Sequence, residues 1–195
     1  MQSCLTIAWT TRVPLLQSSS PAALVASTLR RVLGGKDHVT KYTFVDFCAG
    51  AGGPTPAVER ILNAQLEAEA EAERNAGKRV GKGGGKGPVQ FVLTDLHPHL
   101  EAWRAAAAKS ENLTFVAEAV DAASAPTGLL GEGGKGERKV FRLFNLAFHH
   151  FDDALAAEIL RNTLETADGF GFVFLSFSAP CYVCSTLRVF GKRSR

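Results

Sequence analysis

Hydrophobic and polar positions fall into two alternating kinds of segment along most of the chain. Short runs that are apolar throughout, rich in aromatic and β-branched residues and closed by turn residues, are typical of buried strands. A single apolar stripe at helical spacing is typical of a helix packed on a sheet. The first pattern predicts five strands, at residues 42–47, 89–94, 113–117, 140–147 and 170–178.

The helical pattern falls in the segments between these strands. Residues 54–74 predict a helix with two prolines at its start and an acidic, solvated far end, and residues 97–109 predict a shorter one. Asp152 or Asp153 is a suitable N-cap for a third helix, which stops at Asp168 and Gly169. The predicted core positions of the three helices are Val58, Ile61, Leu62 and Leu66; Leu100 and Trp103; and Leu155, Ile159, Leu160 and Leu164.

Strands that are apolar along their whole length suit a parallel sheet covered by helices on both faces. The predicted fold class is therefore α/β, a doubly wound, mainly parallel, Rossmann-like sheet of about five strands. We expect residues 1–41 to form an N-terminal helical cover that packs through Leu24, Leu29 and Leu33. Residues 42–178 form the α/β domain, with flexible Gly/Lys-rich insertions at 77–88 and 131–139, and residues 179–195 form an atypical basic tail.

Composition narrows this picture only slightly. The chain has 195 residues, 46% hydrophobic and 21% charged, with a net charge of +3, which fits one globular domain and does not by itself point to a polyanionic partner. Its four cysteines are too scattered for a disulfide framework, and the pair Cys181 and Cys184 lacks further ligands, so no metal site is predicted. With no run of about 18 apolar residues, no membrane span is predicted. A cytoplasmic location is expected, with organelle targeting by residues 1–36 as the alternative.

Polar residues lie where the predicted strands end, which is where ligands bind in such sheets. These residues are Asp46, Asp95, Asp121 and Asn145. The turn after the first strand, "FVDFCAGAGGPTP", carries glycines at the first two positions of a dinucleotide motif but has Thr55 at the third. Because the Asp46 carboxylate would repel a pyrophosphate and attract a cation, the pattern indicates a ligand with a positive centre and a ribose, without adjoining phosphates.

Four stretches together resemble a known family. "FVDFCAGAGG" is similar to motif I of the class I S-adenosylmethionine-dependent methyltransferases, "FVLTDLHP" to their second motif, "AVDAASAP" to the loop after the third strand and "FNLAFHHFDD" to the fourth-strand motif. The resemblance covers roughly residues 42–174 and is greatest to uncharacterised fungal members of the class.

The resemblance implies S-adenosyl-L-methionine as cofactor and methyl transfer to an acceptor, expected to be a small molecule, that the sequence does not identify. Asp46 and the backbone of residues 49–52 would hold the methionine part of the cofactor. Asp95 would hold the ribose hydroxyls of the cofactor, and Asp121 with Ala122 would border its adenine. Residues 145–147 would line the pocket near the sulfonium. The full implied set is Asp46, Cys48, Ala49, Gly50, Ala51, Gly52, Asp95, Leu96, Asp121, Ala122, Asn145, Leu146 and Ala147.

His149 and His150 are the nearby candidates for a catalytic base. The competing interpretation is that one packs and the other caps a turn or faces solvent. A nucleic-acid methyltransferase is a further alternative, since Pro180 and Cys181 resemble the Pro-Cys pair of the cytosine enzymes, but no broad basic surface supports it.

The end of the chain raises a third alternative. The family sheet ends in an antiparallel hairpin beside strand five, and we expect this chain, which stops at Arg195, to be shortened and to lack that hairpin. Strand five would then be an exposed apolar edge that a partner or self-association covers. A shortened chain leaves open a non-catalytic protein that still binds the cofactor.

Overall fold

One mixed sheet with helices on both faces forms the fold. The computed structural model describes residues 19–77, 87–127, 129, 138–177 and 183–191. The elements in chain order are α1 (Pro21–Val32), α2 (Lys36–Val39), β1 (Tyr42–Phe47), α3 (Thr55–Asn75), β2 (Gln90–Thr94), α4 (Leu100–Ala107), β3 (Leu113–Phe115), β4 (Lys139–Asn145), a 3₁₀ turn (Phe148–His150), α5 (Asp153–Thr166), β5 (Gly169–Phe177) and β6 (Val183–Gly191).

The strand order is β3-β2-β1-β4-β5-β6, and β1 to β5 run parallel. The chain moves one way from β1 through β2 to β3, then returns past β1 to β4 and continues to β5. The order therefore reverses between β1 and β4, and a crevice opens at their carboxyl ends. This confirms the predicted doubly wound α/β sheet with five parallel strands.

The end of the sheet differs from the expectation. β6 runs antiparallel to β5 and pairs with it along its full length, from Gly169 opposite Gly191 to Phe177 opposite Val183. The prediction that the segment after strand five is only a basic tail, and that strand five is left as an exposed edge, is wrong. A segment that contains β-branched and aromatic residues, as "VCSTLRVF" does, can complete a strand once a neighbouring edge offers its backbone groups.

Alternating side chains divide the core between the two faces of the sheet. Phe44 of β1 points into one core, which we call the α3-side core, with Phe91 stacked on it at 4.9 Å between ring centroids. Val45 and Phe47 point into the other, the α5-side core. The helix positions predicted on α3 and α4 pack against the α3-side core as expected. On α5 only Ile159 and Leu160 pack, whereas Leu155 and Leu164 are exposed, which corrects that part of the prediction.

Arg142 joins α5 to the sheet. Its buried guanidinium donates from Nη1 to Asn162 Oδ1 at 2.8 Å and to Thr163 Oγ1 at 3.2 Å, and it lies 4.3 Å over the Phe47 ring. Burial lowers the pKa of Arg142 to about 10, so it stays charged at neutral pH. Asn162 in turn donates to the Ala125 carbonyl at 3.1 Å, which ties the loop after β3 to the same helix.

In the described part of the N-terminal segment, α1 and α2 pack beside the sheet through two of the three leucines predicted to pack. Leu29 of α1 is fully buried and Leu33 packs beside it, whereas Leu24 is exposed. Two ion pairs fasten the cover to α3, Arg30 with Glu69 and Lys36 with Glu73. The acidic end of α3 is thus partly neutralised by this cover and is not simply a solvated face.

The insertions predicted at 77–88 and 131–139 lie mainly outside the described residues, as do residues 1–18 and the pair Pro180 and Cys181. Between β3 and β4 the described residues contain no helix. None of the described helices is long and apolar enough to cross a membrane.

Candidate functional site

The turn after β1 passes through several residues with positive φ. Cys48 has φ 59°, followed by Gly50 at 54° and Gly52 at 104°, all in the left-handed region that glycine adopts at least cost. A Cβ at Gly52 would lie 3.7 Å from Leu93 Cδ1, whereas nothing lies within 4 Å of one built on Gly50. The glycine pattern therefore permits a tight turn that leaves open space beside Gly50.

A buried polar cluster lies beneath this turn, at the switch point itself. Asp46 is 1% exposed, and its Oδ2 accepts a hydrogen bond from the hydroxyl of Thr55, the first residue of α3. The same hydroxyl accepts from Asn145 Nδ2, at the end of β4, at 2.8 Å. One threonine thus connects the ends of both strands at the crevice.

Two acceptors of this cluster have no partner within the described part of the chain. They are Asp46 Oδ1 and Asn145 Oδ1, both buried. A buried carboxylate or amide oxygen without a donor costs about 1–3 kcal/mol. When Asp46 is ionised both atoms lack a donor, so the pair suits a ligand that brings several N–H groups, such as an ammonium.

Burial also changes the protonation of Asp46. It raises the pKa of this carboxyl from 3.8 to about 7; Thr55 and Asn145 oppose the rise, and the charge of Asp95 adds to it. The carboxyl is therefore poised to change charge near neutral pH. A cation bound beside it would favour the ionised form.

Asp95, at the end of β2, faces the same turn from the neighbouring strand. Its Oδ2 accepts from the Gly50 N–H and its Oδ1 from the His97 N–H, both at 2.8 Å. Each carboxylate oxygen has two acceptor sites, so one on each oxygen stays available to a ligand. Leu96 follows on the outer side and is 50% exposed.

Trp103 holds Gly50 on the carbonyl side of its Cα. It is fully buried on α4, and its indole Nε1–H donates to the Gly50 carbonyl at 2.8 Å. The sequence indicated this residue only as a core position. A buried tryptophan whose N–H must find a partner was the signal available, but the identity of the partner depends on how the turn folds.

Asp121 and Ala122 lie on the loop that returns from β3. The Val120 N–H donates to the Asp95 carbonyl at 2.9 Å and brings the loop to the end of β2. Ala122 is buried in the α5-side core, whereas Asp121 is exposed and accepts from the Ala123 N–H and the Ser124 hydroxyl. Asp121 thus shapes its own turn and keeps a carboxylate at the rim of the site.

Cys48 lies among the acidic residues of the site. Burial raises the pKa of its half-buried thiol to about 12, and the charges of Asp95, Asp46 and Asp121 add to the rise. The three carboxylates predicted at the strand ends therefore all act on one point of the turn. Cys48 is a neutral thiol at pH 7 and not a nucleophile.

The end of β4 supplies the rest of the predicted set. Leu146 has φ 60° and its N–H donates to the Val173 carbonyl at 3.0 Å, and Ala147 is buried. His149 and His150 follow on the 3₁₀ turn, both exposed, with ring centroids 4.0 Å apart. The structure therefore brings Asp46, Asp95 and Asn145 to one crevice, puts Asp121 at its rim, and leaves the histidines on the surface.

Thr55 is the residue of the candidate site that the sequence does not predict. It lies where a dinucleotide motif would have its third glycine, yet its hydroxyl is the centre of the Asp46–Asn145 cluster. Thr94 supports the same cluster by donating to the Asp46 carbonyl at 3.0 Å. Within the described residues no three His, Cys, Asp or Glu side chains are grouped to hold a metal ion.

Comparisons with known proteins give only distant likenesses. No protein-family model matches the chain, and no curated protein matches it either. The chain is similar to an O-methyltransferase family protein from Burkholderia thailandensis, with TM-score 0.42 and 12% identity over 80% of this chain and 39% of that one. It is also similar to a protein of Thermoplasma acidophilum, with TM-score 0.42 and 14% identity over 88% and 68%. A third likeness is to PKMT2 from Rickettsia typhi in complex with AdoHcy, with TM-score 0.41 and 12% identity over 85% and 27%.

Proposed function

We propose that this chain binds S-adenosyl-L-methionine at the crevice between β1 and β4 and catalyses methyl transfer to a small-molecule acceptor. The observation that carries the proposal is the pair of buried, unpartnered acceptors, Asp46 Oδ1 and Asn145 Oδ1. They require a donor of hydrogen bonds, and the carboxylate favours a cationic one. The amino group of the cofactor's methionine part has both properties.

The other residues of the crevice suit the other parts of the cofactor. Asp95 offers free acceptor sites on both oxygens, which a vicinal diol such as that of ribose can use. Asp121, at the rim, can accept from an exocyclic amino group. Gly50 leaves open space against the turn. Carboxylates at three positions make the crevice unsuited to a phosphate and suited to a sulfonium nucleoside.

The cofactor supplies a methyl group on sulfur that is already activated toward displacement. The contribution expected of this chain is therefore mainly to orient the bound cofactor and to keep the acceptor in line. His149 and His150 are the candidates to take a proton from the acceptor, and their exposed position means that the acceptor must approach from the solvent side.

The proposal is tested by calorimetric titration with S-adenosylhomocysteine. Saturable one-site binding is expected, and the Asp95→Ala variant should bind at least about tenfold more weakly because the ribose loses a charged acceptor. The Glu101→Ala variant, which changes a carboxylate exposed on α4, serves as the matched control and should bind as the wild type does. Well-folded wild-type protein that shows no saturable binding would overturn the proposal.

A second assay distinguishes an enzyme from a protein that only binds the cofactor. Cell extract, separated into small-molecule, protein and nucleic-acid fractions, is incubated with the protein and methyl-labelled S-adenosylmethionine. Label is expected in the small-molecule fraction. Label in the nucleic-acid fraction would show that the acceptor is a nucleic acid and not a small molecule. Cofactor binding without label in any fraction would show that the protein binds the cofactor but does not transfer the methyl group.

We also propose a cytoplasmic location, because the four cysteines are few and scattered, and Cys48 is free in the structure. Imaging a tagged full-length chain tests this, and signal confined to an organelle would contradict it. The fungal affinity stays a prediction of the sequence.

A further inference from the structure

Gly50 is held on both sides of its Cα by one short segment of chain, through two successive peptide units. Its N–H donates to Asp95 Oδ2 at 2.8 Å, and its carbonyl accepts from the Trp103 indole at 2.8 Å. Asp95 is the first residue after β2, and Trp103 lies on α4, the next element along the chain. One segment therefore carries both Asp95, the candidate ribose acceptor, and Trp103, which fixes the turn at Gly50. Asp95 in turn is held by the N–H of Gly50.

Gly50 needs such support more than another residue would. At φ 54° it lies in a backbone region that costs glycine little to adopt or to leave, and no atom lies within 4 Å of a Cβ built on it. No side chain anchors this residue, so the hydrogen bonds at its N–H and at its carbonyl limit rotation about its φ and ψ. Trp103 is well suited to this, since its ring is fully buried beside Phe115, 5.9 Å between centroids.

We propose that Trp103 is a positioning residue for ribose recognition, acting through the backbone conformation of Gly50 on the Asp95 carboxylate. The inference rests on the proposed function, in which Asp95 accepts the ribose hydroxyls. With the Gly50 and His97 N–H groups fixed, the remaining acceptor sites of Asp95 have fixed directions. If the Trp103 hydrogen bond is lost, φ and ψ of Gly50 can change, its N–H turns away from Asp95, and the free acceptor sites of the carboxylate no longer meet a diol.

The test compares two ligands on two proteins. The affinities of S-adenosylhomocysteine and of its 2′,3′-dideoxy analogue are measured for the wild type and for Trp103→Phe, which keeps an aromatic ring and removes the N–H. Loss of the hydroxyls should weaken binding to the wild type about tenfold, and binding to Trp103→Phe only about twofold. Phe44→Leu, a change in the same α3-side core away from the turn, should lower stability and keep the wild-type ratio.

The outcomes separate this inference from the function on which it rests. Wild-type protein that does not bind S-adenosylhomocysteine overturns both. Wild-type binding together with an unchanged hydroxyl ratio in Trp103→Phe overturns the positioning role alone. If Trp103→Phe does not fold, the NMR signal of the Trp103 indole N–H in the wild type is measured with each ligand instead. A chemical-shift change that is large with S-adenosylhomocysteine and much smaller with the dideoxy analogue supports the proposal. Equal chemical-shift changes with the two ligands reject it.

Discussion

The ends of β1 and β4 lie side by side at the switch point and leave their strands in the same way. Each does so through a non-glycine residue in the left-handed region, Cys48 at φ 59° and Leu146 at φ 60°. Beyond these two residues the strand ends differ. The β1 turn is clamped by Asp95 and Trp103, whereas the β4 end continues into an exposed 3₁₀ turn that carries His149 and His150.

The difference indicates a division of roles. Residues held by hydrogen bonds to neighbouring elements lose little further freedom when a ligand binds, so we expect the β1 turn to be preorganised for the proposed cofactor. The two histidines contact one another and solvent, which suits a part of the site that meets different acceptors. We therefore expect changes at the β1 end to alter cofactor affinity and changes at the β4 end to alter acceptor chemistry.

The largest effect is expected from Asp46→Asn, which keeps the shape of the buried cluster and removes its charge. Because the variant cannot pair as an anion with an ammonium, affinity for S-adenosylhomocysteine should fall about 10- to 100-fold. Calorimetry measures this loss. The matched change at the β4 end is the double variant His149→Ala, His150→Ala, whose affinity should stay within about twofold. Equal losses in the two proteins would refute the division of roles.

The second effect concerns stability without ligand. Since burial raises the pKa of Asp46 to about 7, the folded protein retains this proton between pH 4 and 7 while the unfolded chain has lost it. The contribution of Asp46 to the free energy of unfolding therefore decreases as pH rises through this window, by about 2 kcal/mol from pH 5 to pH 7. Urea denaturation at several pH values measures it. Asp46→Asn has no group that titrates here, so its free energy of unfolding should rise relative to that of the wild type as pH increases. A difference in free energy of unfolding that stays constant with pH would contradict the raised pKa.

The third effect links that proton to the ligand. A cationic ligand binds the ionised Asp46 better, so affinity for S-adenosylhomocysteine should rise with pH, about tenfold from pH 6 to pH 8. In Asp46→Asn this rise should disappear. The slope is measured by titrations in matched ionic strength, and a wild-type affinity that falls over this range would show that the ligand does not bind beside Asp46.

Much of the β1 end could be predicted from sequence, and less of what supports it. The apolar run before Asp46, and the glycines after it, define a buried strand and a tight turn from local properties alone. The partners of that turn cannot be read locally, because Trp103 and Asn145 reach it only through the tertiary fold. Leu155 and Leu164 illustrate the same limit on α5, where the leucines are present but the sheet covers only one face. The strand β6 was missed because its partner edge is also a tertiary property.

The smallest effect tests the backbone that the two strand ends share. Cys48→Gly should stabilise the protein by about 1 kcal/mol, because glycine adopts φ 59° without the penalty that a Cβ brings. Leu146→Gly gives the same relief but removes a side chain packed against the α3-side core, so this variant should be less stable than wild type. Urea denaturation at pH 7 measures both. A Cys48→Gly protein less stable than wild type would contradict this expectation. It would mean that packing of the Cys48 side chain against the α5-side core stabilises the protein by more than the left-handed backbone destabilises it. The two strand ends would then respond to glycine in the same way.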